Sequence, residues 1–266
     1  MVKRIITALV LIPLSIYAIL KGGILFFIIT LFISLISLFE FNKMFSKEKD
    51  FTGIKSLSLI SIIFISIVFM EKKIPEFLIP FVFSVLALRI LVENKIEGAI
   101  EKLSYSILGF VYITLPLSIL ILMRNLEFGE KFTITTLVAL WSVDSFAFLG
   151  GVTFGKTPLA KVFSPKKSVE GLISGFVGSF FVLYLLNNFY LHIFTNLVMI
   201  CFFAFIMTLF GQCGDLIESC LKRNAGVKDS GTIIPGHGGI LDRIDSMLFS
   251  LPIAYLFFLM KLNLYN

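Results

Sequence analysis

The chain has 266 residues, of which 58% are hydrophobic and 15% are charged, whereas an average soluble domain contains about 25% charged residues. A soluble fold of this length could not bury so much apolar surface, so the composition predicts an integral membrane protein. The formal net charge of +6 does not indicate nucleic-acid binding, because the basic residues are spread between apolar runs; anionic lipids and phosphorylated substrates are the expected partners.

Apolar runs separated by charged residues and glycines predict an all-α membrane protein with nine spans. Each run is close to the ~20 residues that cross about 30 Å of hydrocarbon. The predicted spans are 4–20, 24–42, 56–70, 75–93, 103–123, 132–151, 169–187, 190–210 and 239–261. The first is expected to be retained, since no small-residue cleavage site follows it.

The distribution of Lys and Arg predicts the orientation of these spans. With a cytosolic N-terminus, fifteen of the 23 Lys and Arg residues fall in cytosolic segments, six fall on the opposite side, and Arg89 and Arg243 fall within spans. Cytosolic loops of membrane proteins are enriched in these residues. We therefore expect the N-terminus in the cytosol and the C-terminus outside. A membrane of the bacterial inner type is the expected location.

The segment Gly211–Asp245 interrupts the apolar pattern with five acids, four bases and seven glycines. Its first part has the spacing of one helical face, occupied by Asp215, Glu218, Ser219 and Lys222. At its end, Asp242 and Asp245 lie one helical turn apart at the start of the ninth predicted span, where charge is costly and usually functional. A solvated charged loop is the simpler alternative.

The mixture of residue types in this segment favours a functional site. Acidic side chains bind Mg²⁺ through oxygen, while basic side chains and glycine N–H groups bind phosphates. The combination predicts a site for a metal-bound nucleoside triphosphate.

The segment Trp141–Gly171 also breaks the apolar pattern. Asp144 lies within the sixth predicted span, so we expect it in or beside the metal site, or in a structural ion pair with Arg243 or Arg89. The sequence Gly150-x4-Gly155-Lys156-Thr157 fits the P-loop pattern. We reject a P-loop, because that loop joins a strand to a helix, whereas here an apolar helix precedes it and a proline follows.

Within the segment Gly211–Asp245, a pattern of residues over 27 positions resembles a known family. It reads Ser219-x-Leu221-Lys222-Arg223-x4-Lys228-Asp229-x5-Pro235-x-His237-Gly238-Gly239-x2-Asp242-Arg243-x-Asp245. This pattern resembles, without departure, the signature of the phosphatidate cytidylyltransferases, or CDP-diacylglycerol synthases. The upstream sequence Ser164-Pro165-Lys166-Lys167-Ser168-x-Glu170-Gly171 is also similar to the family. The resemblance covers roughly residues 140–250.

The resemblance implies transfer of CMP from CTP to phosphatidate, giving CDP-diacylglycerol and pyrophosphate. The residues expected to act in catalysis are Asp215, Asp242, Asp245, Lys222 and Arg223. Those expected to bind substrate are Lys166, Lys167, Ser219, Lys228, Asp229, His237 and Arg243. His237 would donate to a phosphate or brace the turn. The expected metal ligands are Asp215, Asp242, Asp245 and Asp144, holding Mg²⁺ and, given the number of acids, a second cation.

These expectations define an architecture, and two alternative functions compete with the one that the resemblance implies. Residues 1–130 would form a lipid-embedded scaffold, and residues 131–266 would form a catalytic region containing residues 211–245. A polar cavity at the cytosolic face would open sideways to the bilayer, because phosphatidate is a two-tailed lipid. The expected partners are CTP, phosphatidate and membrane lipids, and nucleic acid is not expected. A second copy of the chain, forming a homodimer, is a further candidate partner. The alternatives are a CTP-dependent kinase for a polyprenol or similar lipid alcohol, which would release CDP, and an ion-coupled transporter.

Overall fold

The computed structural model describes residues 2–45, 53–93, 97–233 and 238–263, and this part of the chain is mostly helical. The helices are α1 Val2–Lys21, α2 Gly23–Phe45, α3 Gly53–Glu71, α4 Leu78–Glu93, α5 Ala99–Gly109, α6 Leu115–Asn125, α7 Gly129–Phe154, α8 Val169–Leu186, α9 Leu197–Asn224 and α10 Leu241–Asn263. A π-helical turn, Phe110–Thr114, joins α5 to α6, and a second, Asn187–Leu191, extends α8.

Within the described ranges, seven helices are long and apolar enough to cross a membrane. They are Gly23–Phe45, Ile54–Glu71, Ala99–Asn125, Gly129–Phe154, Val169–Leu191, Leu197–Asn224 and Leu241–Leu262. Two shorter apolar helices, Ile12–Lys21 and Leu78–Arg89, lie where the first and fourth spans are predicted. The prediction of a mostly helical protein with several spans is thus confirmed, and the number nine stays a prediction.

The eighth predicted span differs from its helix at both ends, since it covers 190–210 whereas α9 runs from Leu197 to Asn224. The Asn187 side chain accepts hydrogen bonds from the backbone N–H groups of Ile193 and Phe194, both at 2.9 Å, so the chain turns before α9 begins. At the other end, α9 continues beyond its apolar part. Hydropathy detects where apolar residues stop, but helical hydrogen bonding continues through the charged residues that follow.

The all-α prediction is wrong in one element. Strands β1, Pro158–Ala160, and β2, Ser164–Ser168, form an antiparallel hairpin between α7 and α8. An exposed hairpin this short has no hydrophobic periodicity by which to predict it. Its position supports the rejection of a P-loop, because the candidate sequence begins inside α7 and no helix starts until Val169.

The described contacts divide the chain into two compact units. Unit 1 comprises Met1–Asn125 and Asp229–Asp242, and unit 2 comprises Leu126–Lys228 and Arg243–Asn266. In unit 1, the Ser61 and Thr114 hydroxyls are 2.7 Å apart and link α3 to the π-helical turn. The ring of Phe64 meets that of Phe110 edge to face. These buried contacts join the central helices of unit 1.

Close packing in unit 2 depends on glycines in α8. A Cβ atom at Gly171 would lie 2.8 Å from the Ala147 carbonyl oxygen, and one at Gly175 would lie 3.0 Å from that of Val143. Membrane helices approach closely where small residues replace larger side chains. The backbones of α7 and α8 are therefore in near contact beside Asp144, which fixes the helix that carries this acid.

Candidate active site

Unit 2 gathers charged side chains from three helices and the hairpin into one group. Asp144 lies within electrostatic range of Asp215, Asp245 and Lys167, and Asp245 interacts with Glu218 and Lys222. We call the following six residues the acid–base cluster: Asp144 of α7, Lys167 of β2, Asp215, Glu218 and Lys222 of α9, and Asp245 of α10. Five of the six belong to the predicted site, so the structure brings together residues that are up to 101 positions apart in the sequence.

An ion pair between Lys167 and Asp215 connects the hairpin to α9. The Lys167 Nζ atom is 2.5 Å from the Asp215 Oδ2 atom, and their side chains are 20% and 31% exposed. The Ser219 hydroxyl donates to the other oxygen of Asp215 at 3.4 Å, as expected for residues one helical turn apart. Although the two side chains are partly exposed, the Lys167 Nζ atom itself is buried, so the charged end of the lysine is sheltered from solvent by its partner.

The start of α8 fixes the hairpin that carries Lys167. Ser168 caps α8 by accepting a hydrogen bond from the Gly171 N–H group at 3.1 Å. The Glu170 carboxylate accepts from the backbone N–H groups of Lys156 and Thr157, at 3.0 and 3.1 Å. Glu170 therefore holds the two residues that lead into strand β1 of the hairpin. Lys166, next to Lys167 on β2, is exposed.

A second ion pair lies deeper in the cluster, between Glu218 and Lys222 on α9. The Lys222 Nζ atom is 2.6 Å from Glu218 Oε2, and the side chains are 13% and 0% exposed. Lys222 is among the residues expected to act in catalysis, and in this structure its ammonium group is held by a buried carboxylate. Glu218 was not among the predicted site residues. Its place on the helical face of Asp215 and Lys222 was the signal that could have identified it.

Helices α9 and α10 cross in near contact where Asp215 and Asp245 lie. A Cβ atom at Gly214 would be 2.6 Å from the Asp245 carbonyl oxygen and 3.1 Å from Ser246 Cα. Asp215 follows Gly214 directly in the chain. The missing side chain at Gly214 is therefore what allows Asp215 and Asp245 to come from closely packed backbones.

In unit 1, Asp242 joins the signature segment to the first turn of α10. Its Oδ2 atom accepts hydrogen bonds from the Ser230 N–H group and hydroxyl, both at 2.9 Å, and from the Gly239 N–H group at 2.8 Å. Asp242 belongs to the predicted metal-ligand set, and these contacts give it a structural role as well. Carboxylates at the N-terminus of a helix are stabilised by its exposed N–H groups and dipole.

Glu40 of α2 is a residue that the sequence analysis missed. Its side chain is 1% exposed, and its carboxylate accepts hydrogen bonds from the N–H groups of Ile240 at 3.1 Å and Leu241 at 2.9 Å. The argument that singles out Asp144, an acid within an apolar span, applies equally to Glu40. That signal was present in the second predicted span.

The other predicted catalytic and substrate-binding residues are exposed or lie outside the described ranges. Arg223, Lys228 and Arg243 are exposed in unit 2, as is Asp229 in unit 1. The guanidinium group of Arg223 donates to the Val227 carbonyl oxygen at 3.3 Å. His237 lies outside the described residues, so its predicted role stays a prediction.

The donor chemistry of unit 2 fits Mg²⁺. In the part of the chain that the structure describes, no three His, Cys, Asp or Glu side chains are close enough to surround a metal by themselves. Mg²⁺ is usually bound through one or two carboxylates, with water and substrate phosphates completing the octahedron. Asp215 and Asp245 provide carboxylates of this kind, beside lysines that suit phosphates.

Together, the fold and the acid–base cluster define a multi-spanning membrane protein with a charged site among its helices. Comparisons with known proteins identify its family. A sequence model of the Cytidylyltransferase family matches residues 2–261. The chain is 32% identical over 267 residues to a phosphatidate cytidylyltransferase of Staphylococcus epidermidis, covering 94% of this chain and 96% of the relative.

Other relatives match mainly part of the chain. A phosphatidate cytidylyltransferase of Rickettsia typhi is 38% identical over 160 residues, covering 58% of this chain and 70% of the relative. A chloroplastic phosphatidate cytidylyltransferase of Arabidopsis thaliana is 48% identical over 138 residues, covering 52% and 35%. The chain belongs to the cytidylyltransferase family.

Proposed function

We propose that this protein transfers CMP from CTP to phosphatidate, giving CDP-diacylglycerol and pyrophosphate, in phospholipid biosynthesis. The observation that carries the proposal is the similarity to a phosphatidate cytidylyltransferase over 96% of that relative's length. The acid–base cluster supplies the groups that such a reaction requires. The complete signature from Ser219 to Asp245 favours this function over a lipid-alcohol kinase.

The reaction joins two anions, so the protein must reduce their repulsion and align them. An oxygen of the phosphatidate phosphate forms a bond to the α-phosphorus of CTP, and the bond from that phosphorus to the oxygen leading to the β-phosphate breaks. Catalysis of phosphoryl transfer consists mainly of positioning and charge stabilisation. Lys167 and Lys222 are the cluster's cations, and they would hold the phosphates of CTP or of phosphatidate.

We assign metal binding to Asp215, Asp245 and Asp144 in unit 2, and to Asp242. Mg²⁺ would offset negative charge on the triphosphate and on the departing pyrophosphate. Lys167 pairs with Asp215 in the structure, so the lysine would orient that carboxylate and share it with the bound ion. A second cation is compatible with four acids.

The proposal includes a topology. The nine predicted spans, with the N-terminus in the cytosol, account for the unequal distribution of Lys and Arg. This orientation gives the site access to cytosolic CTP from a polar cavity, and a lateral opening would admit the two acyl chains of phosphatidate. The assigned groups all come from one chain, so the proposal holds for a monomer and for a homodimer alike.

Product analysis with purified protein tests the proposed function. The protein in lipid nanodiscs is incubated with CTP, Mg²⁺ and phosphatidate, and lipids and pyrophosphate are measured. We expect CDP-diacylglycerol and pyrophosphate in equal amounts. Formation of CDP and a phosphorylated lipid from added polyprenol would instead establish the kinase. Ion flux into sealed vesicles without nucleotide turnover would instead establish a transporter.

A further inference from the structure

Glu40 connects an early helix of unit 1 to the signature segment. It lies in α2, in a helix long and apolar enough to span a membrane, yet its carboxylate is almost completely buried. Its partners are 190 to 201 positions further along the chain. An ionised group buried in this way is costly unless it is well hydrogen-bonded.

The contacts of Glu40 satisfy the beginning of α10. Its Oε1 atom accepts from the Ile240 N–H group, and its Oε2 atom accepts from that of Leu241. Both N–H groups belong to the start of the helix, where no carbonyl of the preceding turn can accept them. A negative charge at this position is also stabilised by the helix dipole. Glu40 therefore holds the backbone N–H groups of the first residues of α10.

Ser230 links Glu40 to Asp242. The Ser230 hydroxyl lies 3.4 Å from Glu40 Oε2 and 2.9 Å from Asp242 Oδ2. The Ser230 N–H group also donates to Asp242 Oδ2. The loop before α10 and the first turn of that helix are thus joined through two carboxylates and one serine, which we call the Glu40–Ser230–Asp242 network.

Two glycines make room for the Glu40 carboxylate. A Cβ atom at Gly239 would lie 2.5 Å from Glu40 Oε2 and 2.6 Å from Glu40 Oε1. A Cβ atom at Gly231 would also collide with the same carboxylate. The backbone at Gly231 and Gly239 therefore approaches Glu40 more closely than a residue with a side chain could. This close fit is independent of the hydrogen bonds and indicates the same role.

We propose that Glu40 is a positioning residue of the active site, which acts by holding the Asp242 carboxylate and the start of α10 in place. The proposal rests on the proposed function, in which Asp242 is a metal ligand. Groups that orient a metal ligand typically contribute 10–100-fold to metal affinity or activity. Glu40 would make this contribution without touching substrate.

Glu40→Gln is the test, because glutamine keeps the size of the side chain but replaces one acceptor oxygen with an N–H₂ group that faces backbone donors. We expect kcat to fall about 10–100-fold and the Mg²⁺ concentration giving half the maximal rate to rise about tenfold. The KM for phosphatidate should change less than twofold. Glu71→Gln is the matched control, since Glu71 is an exposed glutamate at the end of α3 in the same unit.

A second readout does not depend on activity. Hydrogen–deuterium exchange of peptides covering residues 229–242 should become faster in Glu40→Gln and stay unchanged in Glu71→Gln. If Glu40 served stability alone, its substitution would lower Tm, but the molecules that remain folded would keep the wild-type kcat and the wild-type dependence on Mg²⁺. Should Glu40→Gln not elute as a single folded species, Ser230→Ala decides the matter, with an expected three- to tenfold loss of kcat and faster exchange around residue 230.

The outcomes separate this proposal from the proposed function. If the wild-type protein forms no CDP-diacylglycerol, the proposed function is wrong. If the wild type is active and Glu40→Gln matches it in kcat, Mg²⁺ dependence and exchange, the proposed function stands and the positioning role is overturned. If Glu40→Gln does not fold, a folded Ser230→Ala variant with the kcat and the hydrogen–deuterium exchange of the wild type overturns the positioning role in the same way.

Discussion

Replacing Gly214 with alanine tests whether the close crossing of α9 and α10 sets the geometry of the site. The new Cβ atom would lie 2.6 Å from the Asp245 carbonyl oxygen, 2.9 Å from Phe249 Cβ and 3.1 Å from Ser246 Cα. None of these atoms is the far end of a flexible side chain, so the helices themselves must separate. Restoring an ordinary van der Waals separation between the carbon and the oxygen requires about 0.5–1 Å of movement.

A movement of this size acts directly on the backbones that carry Asp215 and Asp245. Because a misplacement of about 1 Å can reduce a rate about 10²-fold, we expect Gly214→Ala to lower kcat about 10–100-fold. Overpacking costs about 1–3 kcal/mol, and the better helix propensity of alanine offsets about 1 kcal/mol of this. The variant should therefore remain folded, with a Tm slightly below that of the wild type.

Gly211→Ala is the matched control, one helical turn earlier on α9. Its Cβ atom would meet Leu140 Cδ2 at 2.9 Å, which is the tip of a flexible side chain, and Ser250 Oγ at 3.7 Å. We expect its rate of CDP-diacylglycerol formation to stay within about threefold of the wild type, because Leu140 can change rotamer. If Gly214→Ala were as active as Gly211→Ala, the crossing would not control the site.

The remaining predictions concern single charged side chains. Asp242→Asn should abolish Mg²⁺-dependent turnover while the protein still elutes as a folded species, because the amide cannot replace the carboxylate as a ligand; activity is measured across a Mg²⁺ titration. Lys167→Gln should reduce kcat/KM for CTP at least tenfold, because it removes the cation paired with Asp215, whereas Lys161→Gln at the exposed turn of the same hairpin should change it less than threefold. Glu218→Gln leaves a largely buried lysine without its carboxylate, and breaking such a pair costs about 3–5 kcal/mol, measurable as a lower Tm.

Each of these predictions has a contradicting result. Near-normal turnover of Asp242→Asn would show that Asp242 does not bind the metal. Equal effects of Lys167→Gln and Lys161→Gln would show that the ion pair with Asp215 has no specific role. An unchanged Tm for Glu218→Gln would mean that Lys222 finds another partner. Glu101→Gln, on an exposed helix surface, is the control and should have the Tm of the wild type.

The local features of the fold could be predicted because they depend on neighbouring residues. Apolar runs identify the helices, and the spacing of Asp215, Glu218 and Lys222 correctly predicts a helical face on α9. The breaks at Trp141–Gly171 and Gly211–Asp245 identify the segments that supply the acid–base cluster. Hydropathy places the end of α9 too early, because the helix continues after its apolar residues end.

The contacts that complete the site connect distant positions, and no local pattern specifies them. Glu40 bonds to residues 190 to 201 positions away, and the Lys167–Asp215 pair depends on how α8 and its hairpin pack against α9. Sequence reasoning could indicate that Glu40 is an unusual acid in an apolar helix. It could not give the partner, since several N–H donors and bases were available to it.

The most direct measurement of the central claim follows the phosphorus atoms of CTP through the reaction of the purified protein with phosphatidate. CTP labelled at the α-phosphate should transfer its label to the lipid fraction as CDP-diacylglycerol, and CTP labelled at the γ-phosphate should release its label as pyrophosphate. Both should depend on Mg²⁺ and decline together in Asp242→Asn. Label from the γ-phosphate in the lipid fraction, with CDP released, would contradict the account.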